Sequence, residues 1–260
     1  MSLIIGFLSG SASAVFLIAL NWATDYRESH LWIIGFLPIA GFVIGWGYYR
    51  FGENSVKGNN LLLEELYKTE KPIPLRMTPL VLLGTILTHL FGGSAGREGT
   101  AVQMGGSLAD QLTKYFKLNP ADRRIILIAG VSGGFASVFG TPLAGAIFAL
   151  EWMLHRQIRW KSLFPAFLTA FIANWVCGWL FSVEHTHYVI DLIPPHTLLN
   201  LLWIIPAGIA FGFSGRLFAQ STHFFSHQFS HFIKYPPLRP VIGGLLIAAF
   251  VYISDSTTYI

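Results

Sequence analysis

Arg97 and Glu98 stand side by side between Gly96 and Gly99, inside the segment FGGSAGREGT at residues 91–100. Residues 77–96 before them carry no formal charge beyond what His89 can take up. A carboxylate among glycines at a helix start suits one kind of chemistry. Glycine reaches φ > 0 and lets backbones approach closely. A helix beginning there presents unbonded N–H groups and a partial positive charge. Together these make an anion site without a bare cation. Glu98 would occupy that site when ionised and vacate it when protonated or displaced. The plainer alternative is that Arg97 and Glu98 snorkel from a short loop.

A second candidate is KGNNLLLEEL, residues 57–66, where Gly58, Asn59 and Asn60 precede a short apolar helix. Asn is a good N-cap, which accounts for one of the two. The other has an amide to donate to an anion, and Asn59 or Asn60 is expected close to Glu98 despite the nearly forty positions between them. GGSAG, residues 92–96, also fits G-x-S-x-G, the setting of a nucleophilic serine. His89 is poorly placed as its base, so an intramembrane serine protease stays only as an alternative. His223, His227 and His231 share a helix face at four-residue spacing. They read as an interfacial surface alternating with phenylalanines, and no metal site or cofactor is expected.

The elements that position these residues follow from composition. Of 260 residues, 53% are hydrophobic and 12% charged, about half the charged share of a soluble domain. That is too little polar surface to cover a globule, so the chain is an all-α membrane protein. The net charge of +4 does not signal nucleic acid, because the basic residues fall in short loops between apolar runs. Cys177 stands alone, so no intramolecular disulfide forms. The first run, 1–24, lacks a basic leader and reads as a retained helix.

Uncharged runs near the roughly 20 residues needed for a span occur at 1–24, 31–49, 77–96, 125–150, 162–183 and 192–215, with a shorter one at 241–254. No linker divides them, so one domain over 1–260 is expected. Lys and Arg concentrate in loops 50–76, 114–124 and 155–161 and at Lys234 and Arg239, which places these in the cytoplasm. Residues 25–28 and 184–196 then face outward. Successive cytoplasmic loops enclose up-and-down units, one turning at residues 92–100 and one at 139–142. Their limbs are short, so broken, re-entrant helices are predicted, tolerated only where they line a cavity or are buried in protein. Gly130, Gly133, Gly134, Ala136 and Ser137 form a close-packing face.

GREGT followed by AVQMGG, then GVSGGFASVFGTPLAGAIFALE after a basic loop, resembles the CLC family of chloride channels and anion/proton antiporters. The resemblance runs over nearly the whole chain. It implies a bundle of tilted, broken and re-entrant helices in a homodimer of the inner membrane, with a pore in each subunit. It implies a halide and protons as cargo, a lipid bilayer as surroundings and no enzymatic activity. The family's gating glutamate falls on Glu98, and its anion-binding segments fall on Gly58, Asn59, Asn60, Gly96, Arg97, Gly99 and Thr100.

Three departures narrow the resemblance. The family's GSGIP corresponds to residues 58–62, Gly-Asn-Asn-Leu-Leu. Thr100 stands where GREGP has proline. Glu151 matches the first of two inner glutamates, but Trp152 takes the second place. Together these resemble the fluoride/proton antiporter branch, which bacteria use to expel fluoride. Fluoride is the strongest hydrogen-bond acceptor among the halides, so an Asn amide suits it. Proton-coupled fluoride or chloride antiport is the expectation. A passive chloride channel is the alternative, and an inactive fragment a more distant one. By length the chain holds the family's first inverted half and the start of the second, and is expected to be incomplete at its C-terminus.

Overall fold

The first apolar run continues beyond its charged border. Helix α1 (Ser2–Ser29) includes Asp25, Arg27 and Glu28 in its last turn. The computed structural model describes residues 1–68, 71–152, 160–185, 195 and 197–254, with helices, turns and no strand among them. After α1 come a 3-10 segment (Leu31–Phe36), α2 (Leu37–Gly47), a π turn (Tyr48–Gly52), a second 3-10 segment (Glu53–Lys57) and α3 (Asn59–Lys68). Then follow α4 (Met77–Leu90), α5 (Arg97–Tyr115), α6 (Pro120–Phe139), α7 (Pro142–Glu151) and α8 (Trp160–Trp175), which passes into a π turn at Val176–Leu180. Helices α9 (Leu198–Leu202), α10 (Ile204–Phe232) and α11 (Leu238–Ser254) complete the order.

Both up-and-down units are present. α4 turns through residues 91–96 into α5, and α6 turns into α7 at Gly140. Gly140 closes α6 in the left-handed conformation, φ 69°, and Pro142 opens α7 in its first turn. That pairing splits the uncharged run 125–150, since glycine accepts the left-handed cap and proline suits a helix start. α6 itself starts on Asn119, whose side chain accepts from the amides of Ala121 and Asp122 at 3.0 and 2.9 Å. At about 1.5 Å per residue, the 14 residues of α4 and 10 of α7 fall short of a hydrocarbon core roughly 30 Å thick.

α6 lies at the centre, against α5, α7, α8 and α1. Its glycines make this possible. A Cβ on Gly130 would run into the Gly105 carbonyl of α5, and one on Gly134 into the Ala101 carbonyl. Ala101, Gly105 and Ala109 repeat every fourth residue and face this seam, so the two backbones nearly touch. α1 joins through a hydrogen bond of 2.7 Å from Ser137 to Ser13. α2 packs on α11, where a Cβ on Gly41 would come within 2.8 Å of the Pro240 carbonyl.

The two ends of α5, about 28 Å apart by its 19 residues, are chemically distinct. At its C-terminal end, Arg123 is buried and holds both oxygens of Asp110, at 2.7 and 2.8 Å. The same guanidinium donates to Glu65 at 3.0 Å and to the Lys71 carbonyl at 2.6 Å. Arg123 lies in the first turn of α6, ahead of the apolar run that begins at residue 125. Burial works against its charge, but the hydrogen bonds and field of Asp110, then those of Glu65, prevail and hold its pKa above the ordinary range. Loops 50–76 and 114–124 therefore meet at one end. At the other end, Arg97, Glu184, His185 and Asn21 line one cavity of about 220 Å³. In loop 155–161, residues 155–159 lie outside the described residues, as do 186–194 and 196 of the segment expected to face outward.

Candidate anion site at two helix starts

α5 starts on Gly96, whose extended backbone (φ −72°, ψ 131°) makes it the N-cap, so Arg97 and Glu98 are the first two helical residues. Both are exposed, and they form no ion pair with each other. The Glu98 carboxylate folds back over the helix start, with Oε2 2.9 Å from where a side chain on Gly96 would begin. A negative charge there faces the unbonded amides of the first turn. The loop ahead of it is tied down from elsewhere. His89 Nε2 contacts the Ala95 carbonyl at 2.9 Å. Arg27, buried at the end of α1, donates to the His89 carbonyl at 3.2 Å, a cation at the C-terminal end of α4.

α3 brings the second group of residues to the same place. Gly58 adopts φ 56°, a left-handed turn that lets the chain reverse and start α3 at Asn59. Asn59 then projects against α5. Its Nδ2 is 3.4 Å from where a Cβ on Gly99 would stand, next in sequence to Glu98. Asn60 is exposed, whereas Asn59 is half-buried with Oδ1 enclosed and without a hydrogen-bond partner. Asn59 is thus the asparagine brought beside Gly99.

Thr100 is buried, and its hydroxyl serves the scaffold. It donates to the Gly96 carbonyl at 3.2 Å and meets the Thr85 hydroxyl of α4 at 2.7 Å. A residue without a role in the sequence reading joins the site here. Gln103, half-buried, has Nε2 3.5 Å and 3.7 Å from where side chains on Gly58 and Gly99 would begin. The available signal was its spacing, four residues after Gly99, on a helix whose next turns are almost wholly buried.

The other candidates separate from this site. With His89 Nε2 against the Ala95 carbonyl, Ser94 has no base from that histidine. His223, His227 and His231 are exposed on α10, with the last two rings stacked at 6.5 Å. No three metal-ligating side chains converge among the described residues.

The family model described as voltage gated chloride channel matches residues 40–259. A Pseudomonas syringae pv. tomato protein named chloride/fluoride channel protein is 51% identical over 257 residues, which is 99% of this chain and 57% of that protein. The Vibrio cholerae H(+)/Cl(-) exchange transporter ClcA is 28% identical over 95% of this chain and 56% of its own length. The chain thus spans a little over half of these curated relatives. A crystal structure of a CLC-type fluoride/proton antiporter superposes with a TM-score of 0.91 at 35% identity, covering 97% of this chain and 64% of that one. A slow cyanobacterial Cl-/H+ antiporter shares the fold, with a TM-score of 0.79 at 21% identity. With the matched segment taking in both α3 and the α4–α5 hairpin, this chain belongs to the voltage gated chloride channel, or CLC, family.

Proposed function

We propose that the chain carries out CLC-type anion transport, in the form of proton-coupled fluoride or chloride antiport, with Glu98 as gate and proton carrier. The observation that carries this reading is the approach of Asn59 to Gly99, which sets an amide donor of α3 beside the start of α5. Each helix start contributes roughly half a positive charge, so two together favour an anion that neither would hold alone. Ionised Glu98 competes for that place. On protonation it loses its charge and its hold on the helix start, and an anion replaces it. Gly58, Gly96, Arg97, Gly99 and Thr100 shape the two turns. Asn60, exposed, lies at the rim. The role is transport and not enzymatic turnover, with no cofactor, metal or nucleic acid. The surroundings are the bilayer of a cell's inner membrane, and the unit is one domain in a homodimer.

Fluoride is the favoured cargo because Asn59 stands where the family pattern has serine. The antiporter structure that this chain resembles at 35% identity is of the fluoride/proton class. The name of the Pseudomonas relative favours a second reading, a passive channel. One experiment separates the two. The protein is reconstituted in liposomes, an outward fluoride gradient is imposed and external pH is followed. Antiport moves protons against the fluoride gradient, and Glu98→Gln, close in shape but unable to carry a proton, reduces that movement to background. Fluoride flux without proton movement in the unaltered protein establishes the channel. Undiminished coupled proton movement in Glu98→Gln removes Glu98 from this role.

A further inference from the structure

Gln103 follows Gly99 by four residues, so the two share a face of α5. Its Nε2 and the Nδ2 of Asn59 lie 3.7 and 3.4 Å from the same point, the place of an absent side chain on Gly99. Two amides from two helices therefore stand over one glycine. Neither amide is saturated. Gln103 has no hydrogen-bond partner among the described residues, and Asn59 Oδ1 is buried without one. An amide offers two donors and an acceptor, and the one buried atom here without a partner, the Asn59 acceptor Oδ1, is held at a cost in free energy. A guest that accepts hydrogen bonds in the space over Gly99 would take up the two N–H groups, Nδ2 of Asn59 and Nε2 of Gln103, that have no protein acceptor among the described residues.

Resting on the anion-site reading above, we propose that Gln103 is a second anion-contacting residue, which with Asn59 forms a two-amide clasp over Gly99 and sets the preference for fluoride over chloride. The chemistry is that of ion size. A small anion concentrates its charge and gains most from donors that converge on a narrow space. A larger halide spreads its charge and gains less from the same pair. Gly99 leaves the space that the anion fills. The unsatisfied Asn59 Oδ1 gives the clasp an acceptor as well, suited to a donor that arrives with the cargo, such as a water of hydration or the O–H of protonated Glu98.

The competing role for Gln103 is mechanical, as a prop for the Gly58 turn. The test therefore reads selectivity. In liposomes carrying the full chain, Gln103→Met keeps the side-chain length and removes the amide. The expected result is a rise of about tenfold in KM for fluoride, the worth of a hydrogen bond to an ion. The KM for chloride and both kcat values should change far less. Gln103→Glu should weaken fluoride transport progressively as pH rises through about 4.3, where a glutamate ordinarily ionises, beyond any change in the unaltered protein. Fluoride titration of the detergent-solubilised variants gives the same comparison where transport is too slow to follow. An unchanged fluoride-to-chloride ratio in Gln103→Met, or equal losses for both halides, overturns the proposal. That outcome leaves the reading of Glu98 to its own experiment, Glu98→Gln.

Discussion

Helices α6 and α10 both present glycines at four-residue spacing, Gly130 and Gly134 in one, Gly208 and Gly212 in the other. Their surroundings are opposite. In α6, buried residues run from Arg123 to Val138 and take in every side of the helix. α10 buries none, and a side chain added at Gly208, Gly212 or Gly215 would meet nothing within 4 Å. Apolar character sends both toward a membrane but does not pack either. In lipid, the tails are as apolar as leucine, so helices associate through close backbone approach and interhelical hydrogen bonds. α6 has that because α5 answers with Ala101, Gly105 and Ala109 in matching register. A stripe of small residues becomes an interface only when a second stripe faces it.

The largest expected effect breaks this contrast directly. Gly130→Leu drives a side chain into the Gly105 carbonyl and the Ala109 side chain. Backbone cannot yield as a flexible side chain can, so a loss of more than about 4 kcal/mol is expected. Gly212→Leu on α10 should change stability by about 0.5 kcal/mol or less. Unfolding of the two variants in detergent measures both. Similar losses at the two positions would mean that the glycines of α6 do not act through the α5 seam.

The same contrast explains what was legible in the sequence. The α4–α5 and α6–α7 hairpins could be read because their turns are written in glycine and proline, and because basic loops recur on one side. The start of α3 could be read from Gly58 and the two asparagines. The choice of Asn59 over Asn60 could not, since it depends on how α3 lies against Gly99. Gln103 went without a role for the same reason. Its chemistry arises from nearness to a turn 45 positions earlier. The Arg123 cluster joins groups as far as 58 positions apart and looked like ordinary loop charge. Nothing in the apolar run 192–215 distinguishes a span with neighbours from one without.

That buried cluster provides the second test. Arg123→Ala leaves Glu65 and Asp110 buried without their cation, and Asp110 also accepts from the Ile73 amide at 2.6 Å. Removal of one partner from a buried ionic set costs about 3 kcal/mol or more, and α3 loses its tie to α6. Arg216→Ala, exposed on α10, should produce no measurable loss. Equal thermal stability of Arg123→Ala and the unaltered protein would show that the cluster contributes no fixed geometry to the packed region.

The smallest effect concerns hydroxyl groups. On α10, Ser214 and Thr222 donate to the carbonyls four residues back, Ala210 and Phe218, each at 2.9 Å. Those bonds stay within the helix and join it to nothing. Thr85 of α4 instead reaches across to Thr100 of α5 at 2.7 Å. With the Thr100 hydroxyl also 3.2 Å from the Gly96 carbonyl, donation from Thr85 to Thr100 is the arrangement that satisfies both contacts. A relay therefore runs from α4 through Thr100 to Gly96, the residue that caps α5. A proline at position 100 could form neither link. Thr85→Val, which keeps the shape, should cost about 1 kcal/mol, the net worth of one hydrogen bond. Thr222→Val should cost nothing or stabilise slightly. Thr85→Val and Thr100→Val should also couple, so that the double variant loses less than the sum of the two single losses. Strict additivity of the losses would mean that the two hydroxyls act separately, and that α4 does not hold the start of α5 through them.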